Sequence, residues 1–213
     1  MFTHIIFDLD GTLTDSKPGI VHSIQYSLSR VGIDEQDEKK LESFVGPPLM
    51  STYRDTYGLT EEKRRQAYEA FQEVFTTKGM FDNRPYEGIP ELLARLKASG
   101  KKLYIGTSKP EVHAITILKH FGLYQYFDVI KGAKLGDENE SKADTIAKVL
   151  REIPQEEWNK TVMVGDRKYD IEGGRANGLA TVAVSYGYAD EKEIREVQPS
   201  YIAESVDDLK NLL

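Results

Sequence analysis

The 213-residue sequence contains no cysteine, which excludes disulfides, thiolate-held metals and cysteine nucleophiles. It has one tryptophan and four histidines. His4, His22, His113 and His120 share no spacing that would join two of them on one metal, and they read as structural or surface groups. Long apolar runs are missing too. None approaches the roughly 18 residues that cross a bilayer, and the N-terminus lacks a basic stretch followed by an apolar one. No membrane partner is expected, and a reducing cytoplasm fits the lack of cysteine. There is no basic excess either: 28 Lys and Arg face 35 Asp and Glu, a formal charge of -7. A phosphate backbone needs a concentrated basic surface, so no nucleic-acid partner is expected. The twelve tyrosines lack the basic interleaving of a base-stacking platform.

What is present suits a globular chain. Hydrophobic residues make up 39% and charged residues 30%, enough for a sizeable core and unlike a disordered chain. The run Thr3-His4-Ile5-Ile6-Phe7 is short, apolar and rich in strand formers, and it stops at Asp8-Leu9-Asp10-Gly11-Thr12. It reads equally well as a buried parallel strand ending in a functional loop or as an edge strand before an Asp-Gly turn. Over 16–31, Ile20, Ile24, Leu28 and Val31 recur at helical spacing and Gly32 follows as a stop. Further helices are predicted over 36–44, 48–56 and 60–76, the last with Thr60 as N-cap and Tyr68, Phe71 and Phe75 on one flank. The stretch 14–81 therefore reads as all-helical, broken at Phe44-Val45-Gly46-Pro47-Pro48.

Strands and helices then alternate. Strands are predicted at Lys102–Gly106, Tyr126–Ile130, Thr161–Val164 and Thr181–Val184, with helices after Ile89, over 110–120, through Ala143–Leu150, over 170–176 and over 205–212. That alternation predicts an α/β fold, a doubly wound parallel sheet covered by helices on both faces. Its core would comprise 1–13 and 82–213, with 14–81 as an inserted helical domain. Such sheets place their chemistry beyond the C-terminal strand ends. There lie Asp8 and Asp10 after the first strand, Thr107 and Ser108 after the second, and Asp166 and Asp170 after Thr161–Val164.

Four carboxylates packed together repel one another, and a hard divalent cation relieves that repulsion. An oxygen-only donor set favours Mg2+ over zinc, and Mg2+ is commonly completed by substrate phosphate. A carboxylate can attack phosphorus to form an acyl phosphate, while a second protonates the leaving oxygen and activates water. Thr107 and loop N–H groups can donate to phosphoryl oxygens. Lys142, at a helix start, can neutralise the transferring group.

The sequence resembles the haloacid-dehalogenase-like hydrolase superfamily, and closely its phosphoglycolate-phosphatase-like branch with a helical cap. Asp8-Leu9-Asp10-Gly11-Thr12, Ile105-Gly106-Thr107-Ser108-Lys109, Ser141-Lys142-Ala143 and Gly165-Asp166-Arg167-Lys168-Tyr169-Asp170 carry the likeness, with the order and spacing of the family's four motifs. The resemblance implies that Asp8 is the nucleophile and a Mg2+ ligand. It makes Asp10 the general acid and base, with its backbone carbonyl also on the metal. Thr107 and Lys142 would hold phosphoryl oxygens, aided by the N–H groups of Leu9 and Ser108. Asp166 would bind Mg2+, with Asp170 as a nearby carboxylate behind it. The helical insert would be a mobile lid.

The reaction these expectations describe is Mg2+-dependent hydrolysis of a small phosphorylated metabolite, phosphoglycolate or a nucleoside monophosphate foremost. A phosphosugar mutase, a phosphotyrosine phosphatase and a non-catalytic binding domain on the same fold are the alternatives. Asp10 speaks against a metal-free dehalogenase. Lys17, Lys39, Lys40, Lys63 and Lys78 lack the apolar setting that a Schiff-base phosphonate cleaver needs. Specificity is expected from the insert: Ser16, Lys17 and His22, the turn Gly46-Pro47-Pro48, and Arg54. Gly46 and Lys109 complete the expected substrate contacts, although Lys109 also reads as the start of the helix after Pro110. The expected state is a monomer or weak homodimer.

Overall fold

The computed structural model describes residues 2–47, 49–135 and 140–213. The chain begins with β1 (His4–Phe7), in which Ile5, Ile6 and Phe7 are fully buried, and passes through β2 (Thr14–Asp15). Four helices follow: α1 (Lys17–Arg30), α2 (Glu38–Glu42), α3 (Leu49–Tyr57) and α4 (Glu61–Val74), the last continued by a π-turn over Phe75–Gly79. After β3 (Arg84–Pro85) come α5 (Ile89–Ala98), β4 (Lys102–Pro110), α6 (Glu111–His120), β5 (Val129–Ala133) and α7 (Lys142–Leu150). The chain ends with β6 (Thr161–Gly165), α8 (Lys168–Ala176), β7 (Ala180–Val184), α9 (Glu191–Val197), β8 (Tyr201–Ala203) and α10 (Val206–Leu212).

Two compact units result: Met1–Asp15 with Pro85–Leu213, and Ser16–Arg84. Thr14 and Asp15 stay with the sheet unit because Thr14 is buried, its N–H donates to Leu9 O at 3.0 Å and its carbonyl accepts from Gly11 N at 2.8 Å.

The sheet unit holds six parallel strands in the order β5-β4-β1-β6-β7-β8. β1 is interior, pairing Phe7 with Ile105 on one side and with Val164 on the other. That settles the opening run as a buried parallel strand. Chain order runs outward from β1 to β5 and then restarts at β6 on the opposite side, so the strand order reverses beside β1. Such reversals open a crevice at the C-terminal strand ends. One face of the sheet packs Ile6, Tyr104 and Met163 against Ile146, Val149 and Leu150 of α7, all essentially inaccessible. Trp158 packs on this cluster and donates its Nε1–H to Ile153 O at 3.1 Å.

The expected strand at Tyr126–Ile130 lies three residues later. Tyr124–Tyr126 form a 3-10 turn instead. Asp128 then anchors the chain: its N–H donates to Leu103 O, and its carboxylate accepts from Leu103 N and pairs with Lys97 and Lys102. The ladder starts only after that anchor. Helix α8 begins two residues before its predicted start because the Asp170 carboxylate accepts the N–H of Arg167, an orphan donor at the helix N-terminus. β8 and α9 escape the periodicity reading, since two of the three β8 residues are exposed and α9 has only seven residues.

In the helical unit, α1 buries Ile20, Ile24 and Leu28 at four-residue spacing. α4 starts at Thr60, whose hydroxyl accepts from Lys63 N, and stacks Phe71 on Phe75 at 5.1 Å. Its π-turn meets α1 closely enough that a Cβ on Gly19 would fall 1.9 Å from Gly79 O. Only glycine fits there. Lys40 pairs with Glu35 at 2.6 Å, and the Tyr57 hydroxyl donates to the same carboxylate oxygen at 2.9 Å.

Candidate active site

Three strands of the sheet unit deliver the predicted residues. β1 ends at Phe7, so Asp8 follows at the crevice, buried, with its N–H donating to Val164 O at 2.9 Å. Next comes a tight turn in which Gly11 takes a φ of 77°. A side chain there would be strained in backbone, and its Cβ would fall 2.2 Å from Asp166 Oδ2. β4 carries buried Thr107 and half-buried Ser108 at a break in its register with β5. β6 leads into buried Asp166, and α8 holds fully buried Asp170 in its first turn.

Lys142 joins them from the start of α7, where Ser141 and Asp144 form a capping box. Its Nζ lies 2.9 Å from Asp8 Oδ1, 2.8 Å from Asp170 Oδ1 and 3.3 Å from Gly106 O. Burial alone would lower the lysine pKa, but Asp170 and Asp8 outweigh it and hold the ammonium charged. One cation therefore faces two carboxylates, with a third beside them. Oxygens of Asp8, Asp166 and Asp170 all lie within 4.8 Å of one another. Burial, then Asp170 and Asp8, push Asp166 upward. Burial also raises Asp170, to about 6, against the pull of Lys142. An all-oxygen set with more negative charge than one lysine balances fits a hard divalent cation.

The carboxylate that groups with Asp8 and Asp166 is that of Asp170, which the sequence reading placed behind the metal. The Asp10 carboxylate, one of the expected metal-site residues, turns elsewhere: its Oδ2 lies 2.9 Å from buried Lys109 Nζ. Its Oδ1 is buried with no hydrogen-bond partner among the described residues. Lys109, expected on the phosphate, ion-pairs with Asp10, and its N–H donates to Thr107 Oγ1 at 3.2 Å. Near this pair His113 is buried, and burial and Lys109 push it down to about 4 against the opposing pull of Asp10. It stays neutral at physiological pH.

Leu9 is fully buried, and its carbonyl accepts from Leu13 N at 2.9 Å and Thr14 N at 3.0 Å, which shapes the turn after Asp8. The other expected contacts belong to the helical unit. Gly46 has a φ of 110° in the turn between α2 and α3, while Pro48 lies outside the described residues. Lys17 pairs with Glu42, His22 with Asp82 and Arg54 with Asp55.

The loop after β7 was missed in the sequence. Tyr188 N–H donates to Asp166 Oδ2 at 2.8 Å, opposite Thr12 Oγ1, which donates to Oδ1 at 3.2 Å. Tyr186 fixes the same corner by donating its hydroxyl to Thr12 O at 3.0 Å. Gly187 packs so closely that a Cβ would fall 2.3 Å from Asp166 Cβ and 2.4 Å from Gly11 O. The signal was available: Ser185-Tyr186-Gly187-Tyr188 follows an apolar strand at the same sheet edge as the other site loops.

Known proteins resemble this chain over its full length. A 5'-nucleotidase from Pseudomonas aeruginosa is 39% identical over 212 residues, spanning 100% of this chain and 96% of its own. The tyrosine-protein kinase PtkA of Mycobacterium tuberculosis is 38% identical, spanning 98% of this chain and 72% of its own. Other relatives are named phosphoglycolate phosphatase and pyrophosphatase. The solved structure of a predicted phosphatase from Clostridium acetobutylicum superposes with a TM-score of 0.92 at 39% identity, covering 100% of this chain and 98% of that one. The family model for haloacid dehalogenase-like hydrolases matches residues 5–184, a span that includes every carboxylate of the cluster and Lys142. With that match and these relatives, the chain belongs to the haloacid dehalogenase-like hydrolase family.

Proposed function

We propose that the chain is a Mg2+-dependent phosphomonoesterase working through an aspartyl-phosphate on Asp8. The observation that carries this reading is Lys142 Nζ bridging Asp8 and Asp170 inside the buried carboxylate cluster. A nucleophile, its orienting cation and a metal-fitting set thus converge on one point. Asp8 would attack phosphorus through one carboxylate oxygen. The ester P–O bond breaks, and its electron pair leaves with the substrate oxygen, which takes a proton from Asp10. In the second step Asp10, now a carboxylate, takes a proton from water, the water oxygen attacks phosphorus, and the bond to Asp8 breaks to release phosphate. The unpartnered Oδ1 of Asp10 suits a group that must meet a proton donor or acceptor from substrate and water. Thr107 Oγ1 and the N–H groups of Leu9 and Ser108 would hold phosphoryl oxygens.

Mg2+ would be held by Asp8, Asp166 and the Asp10 backbone carbonyl, with the Asp170 carboxylate alongside, and would neutralise charge on the transferring phosphoryl group. We assign substrate selection to the helical unit, and a small phosphorylated metabolite, a nucleoside 5'-monophosphate or phosphoglycolate, as the substrate. The names of the relatives support that choice. The test is a panel of nucleoside monophosphates, phosphoglycolate, phosphosugars and phosphotyrosine, ranked by kcat/KM with Mg2+ and repeated with EDTA. A small metabolite should lead the ranking, and chelation should cut its rate at least about 100-fold. Full activity in EDTA would refute the metal, and a lead by phosphotyrosine would refute the substrate class.

The Gly187 contact supplies a second prediction. Gly187→Ala forces Asp166 or the Gly11 turn to move, and displacing a metal ligand's support typically weakens metal binding about 10- to 100-fold. The Mg2+ concentration for half-maximal activity should rise accordingly. An unchanged requirement would count against Asp166 as a metal ligand.

A further inference from the structure

We propose that Glu193 is a positioning residue of the metal site, locking the turn that holds Asp166 and Asp170 together. The inference rests on the metal-site reading above and concerns a residue far from the family's motifs in sequence. Asp166 and Asp170 sit on either side of the entry to α8, one before the helix and one in its first turn. Any rotation of that turn separates their carboxylates. Asp170 ties the turn from within by accepting Arg167 N–H at 3.1 Å.

The outer tie is Glu193. A single carboxylate oxygen, Oε1, accepts from the side-chain Nε of Arg167 at 2.9 Å and from the backbone N–H of Lys168 at 2.7 Å. The Lys168 N–H is one of the orphan donors of a helix start. Thus one oxygen satisfies it and fixes the arginine between the two acidic residues. The contact is well shielded, with side-chain exposures of 15% for Arg167 and 19% for Glu193. Charge-assisted bonds of this kind, removed from bulk water, are stronger and more orienting than exposed pairs.

Glu193 is itself held rigidly. Its N–H donates to Asp190 Oδ1 at 2.8 Å at the N-cap of α9. Ile194 and Val197 anchor that helix against Ile171 of α8 and Ala183 of β7. The turn has no slack on its other side, because a Cβ on Gly165 would fall 2.2 Å from Asp170 Cγ. Glu191, on the same helix, makes an exposed pair with Arg195 at 2.8 Å, with exposures of 85% and 78%. It serves as an internal control.

The experiment is Mn2+ binding followed by electron paramagnetic resonance on the intact, substrate-free protein, for the wild type and E193A, E193D, E191A and D166N. E193A is expected to weaken Mn2+ binding about 10-fold, and E191A to leave it unchanged. E193D keeps the charge but withdraws it by one methylene, so its affinity should fall between the two at unchanged near-ultraviolet circular dichroism. It carries the test if E193A does not fold. Equal Mn2+ affinity in wild type and E193D, or in E193A and E191A, overturns the proposal. D166N separates the underlying reading: if it binds Mn2+ as the wild type does, the metal site itself is misassigned. If D166N loses the metal while the Glu193 variants keep it, only the positioning role fails.

Discussion

Asp8→Asn is expected to lower turnover of p-nitrophenyl phosphate with Mg2+ by at least about 10,000-fold, because removing a covalent nucleophile removes the step itself. The amide has nearly the shape of the carboxylate, so the loss should come without collapse of the fold. Asp8 Oδ1 pairs with Lys142 Nζ at 2.9 Å, and the variant removes one of the two carboxylates on that lysine. The remaining partner, Asp170 at 2.8 Å, keeps the ammonium satisfied, and thermal stability should change by only a few degrees. A direct readout accompanies the rate: wild-type protein quenched in acid during turnover should carry one phosphoryl group on a peptide containing Asp8. Asp8→Asn should carry none. Equal rates in the two proteins would rule out an aspartyl-phosphate on Asp8.

Much of this site was legible because its residues sit where strand patterning breaks. Ile5-Ile6-Phe7 stops abruptly at Asp8, and Thr161-Val162-Met163-Val164 stops before Asp166. In a parallel sheet, such breaks at the same ends of several strands must converge in space. Lys142 was legible as a helix-start lysine, though only the packing shows it buried between two carboxylates. What remained hidden was direction. Asp8 and Asp10 stand two residues apart on one turn, yet the Asp10 carboxylate pairs with Lys109 while those of Asp8, Asp166 and Asp170 cluster. Spacing along a turn does not encode where side chains point. The supports from Tyr188, Gly187 and Glu193 were hidden for another reason. They act through backbone N–H groups, missing Cβ atoms and a contact 26 residues away in the chain, none of which leaves a periodic trace. Strand β8 was lost similarly, since an edge strand with two exposed residues out of three has no apolar run to read.

The largest stability effect is expected from Lys142→Met, and its dependence on pH distinguishes an electrostatic role from a packing one. Methionine keeps most of the volume but leaves Asp8, Asp166 and Asp170 clustered within 4.8 Å with the central cation gone. Breaking a buried ion pair by removing one partner typically costs about 3–5 kcal/mol, and for a chain of this size each kcal/mol moves Tm by about 2–4 °C. A fall of about 10 °C near neutral pH follows. The sign with pH comes from the carboxylates. Burial lifts Asp166, and it lifts Asp170 to about 6, against an ordinary value of about 4 in the unfolded chain. A carboxylate whose pKa is higher when folded binds its proton more tightly in the native state. Its stabilising contribution is complete below the unfolded value and is lost as pH rises through the folded one. Lys142 pulls Asp170 downward, so without it the loss should extend to higher pH. The Tm deficit of Lys142→Met should therefore be smallest near about pH 5, grow towards about pH 8, and shrink again when Mg2+ is added, because a divalent cation replaces the missing charge. Differential scanning calorimetry of both proteins across that range, with and without Mg2+, gives the comparison. A deficit that is flat with pH and indifferent to Mg2+ would reduce Lys142 to a packing residue. Activity should fall about 100- to 1,000-fold in the same variant, the usual cost of removing a preorganised charge from a transferring group; acid and Mg2+ would restore its fold without restoring that rate.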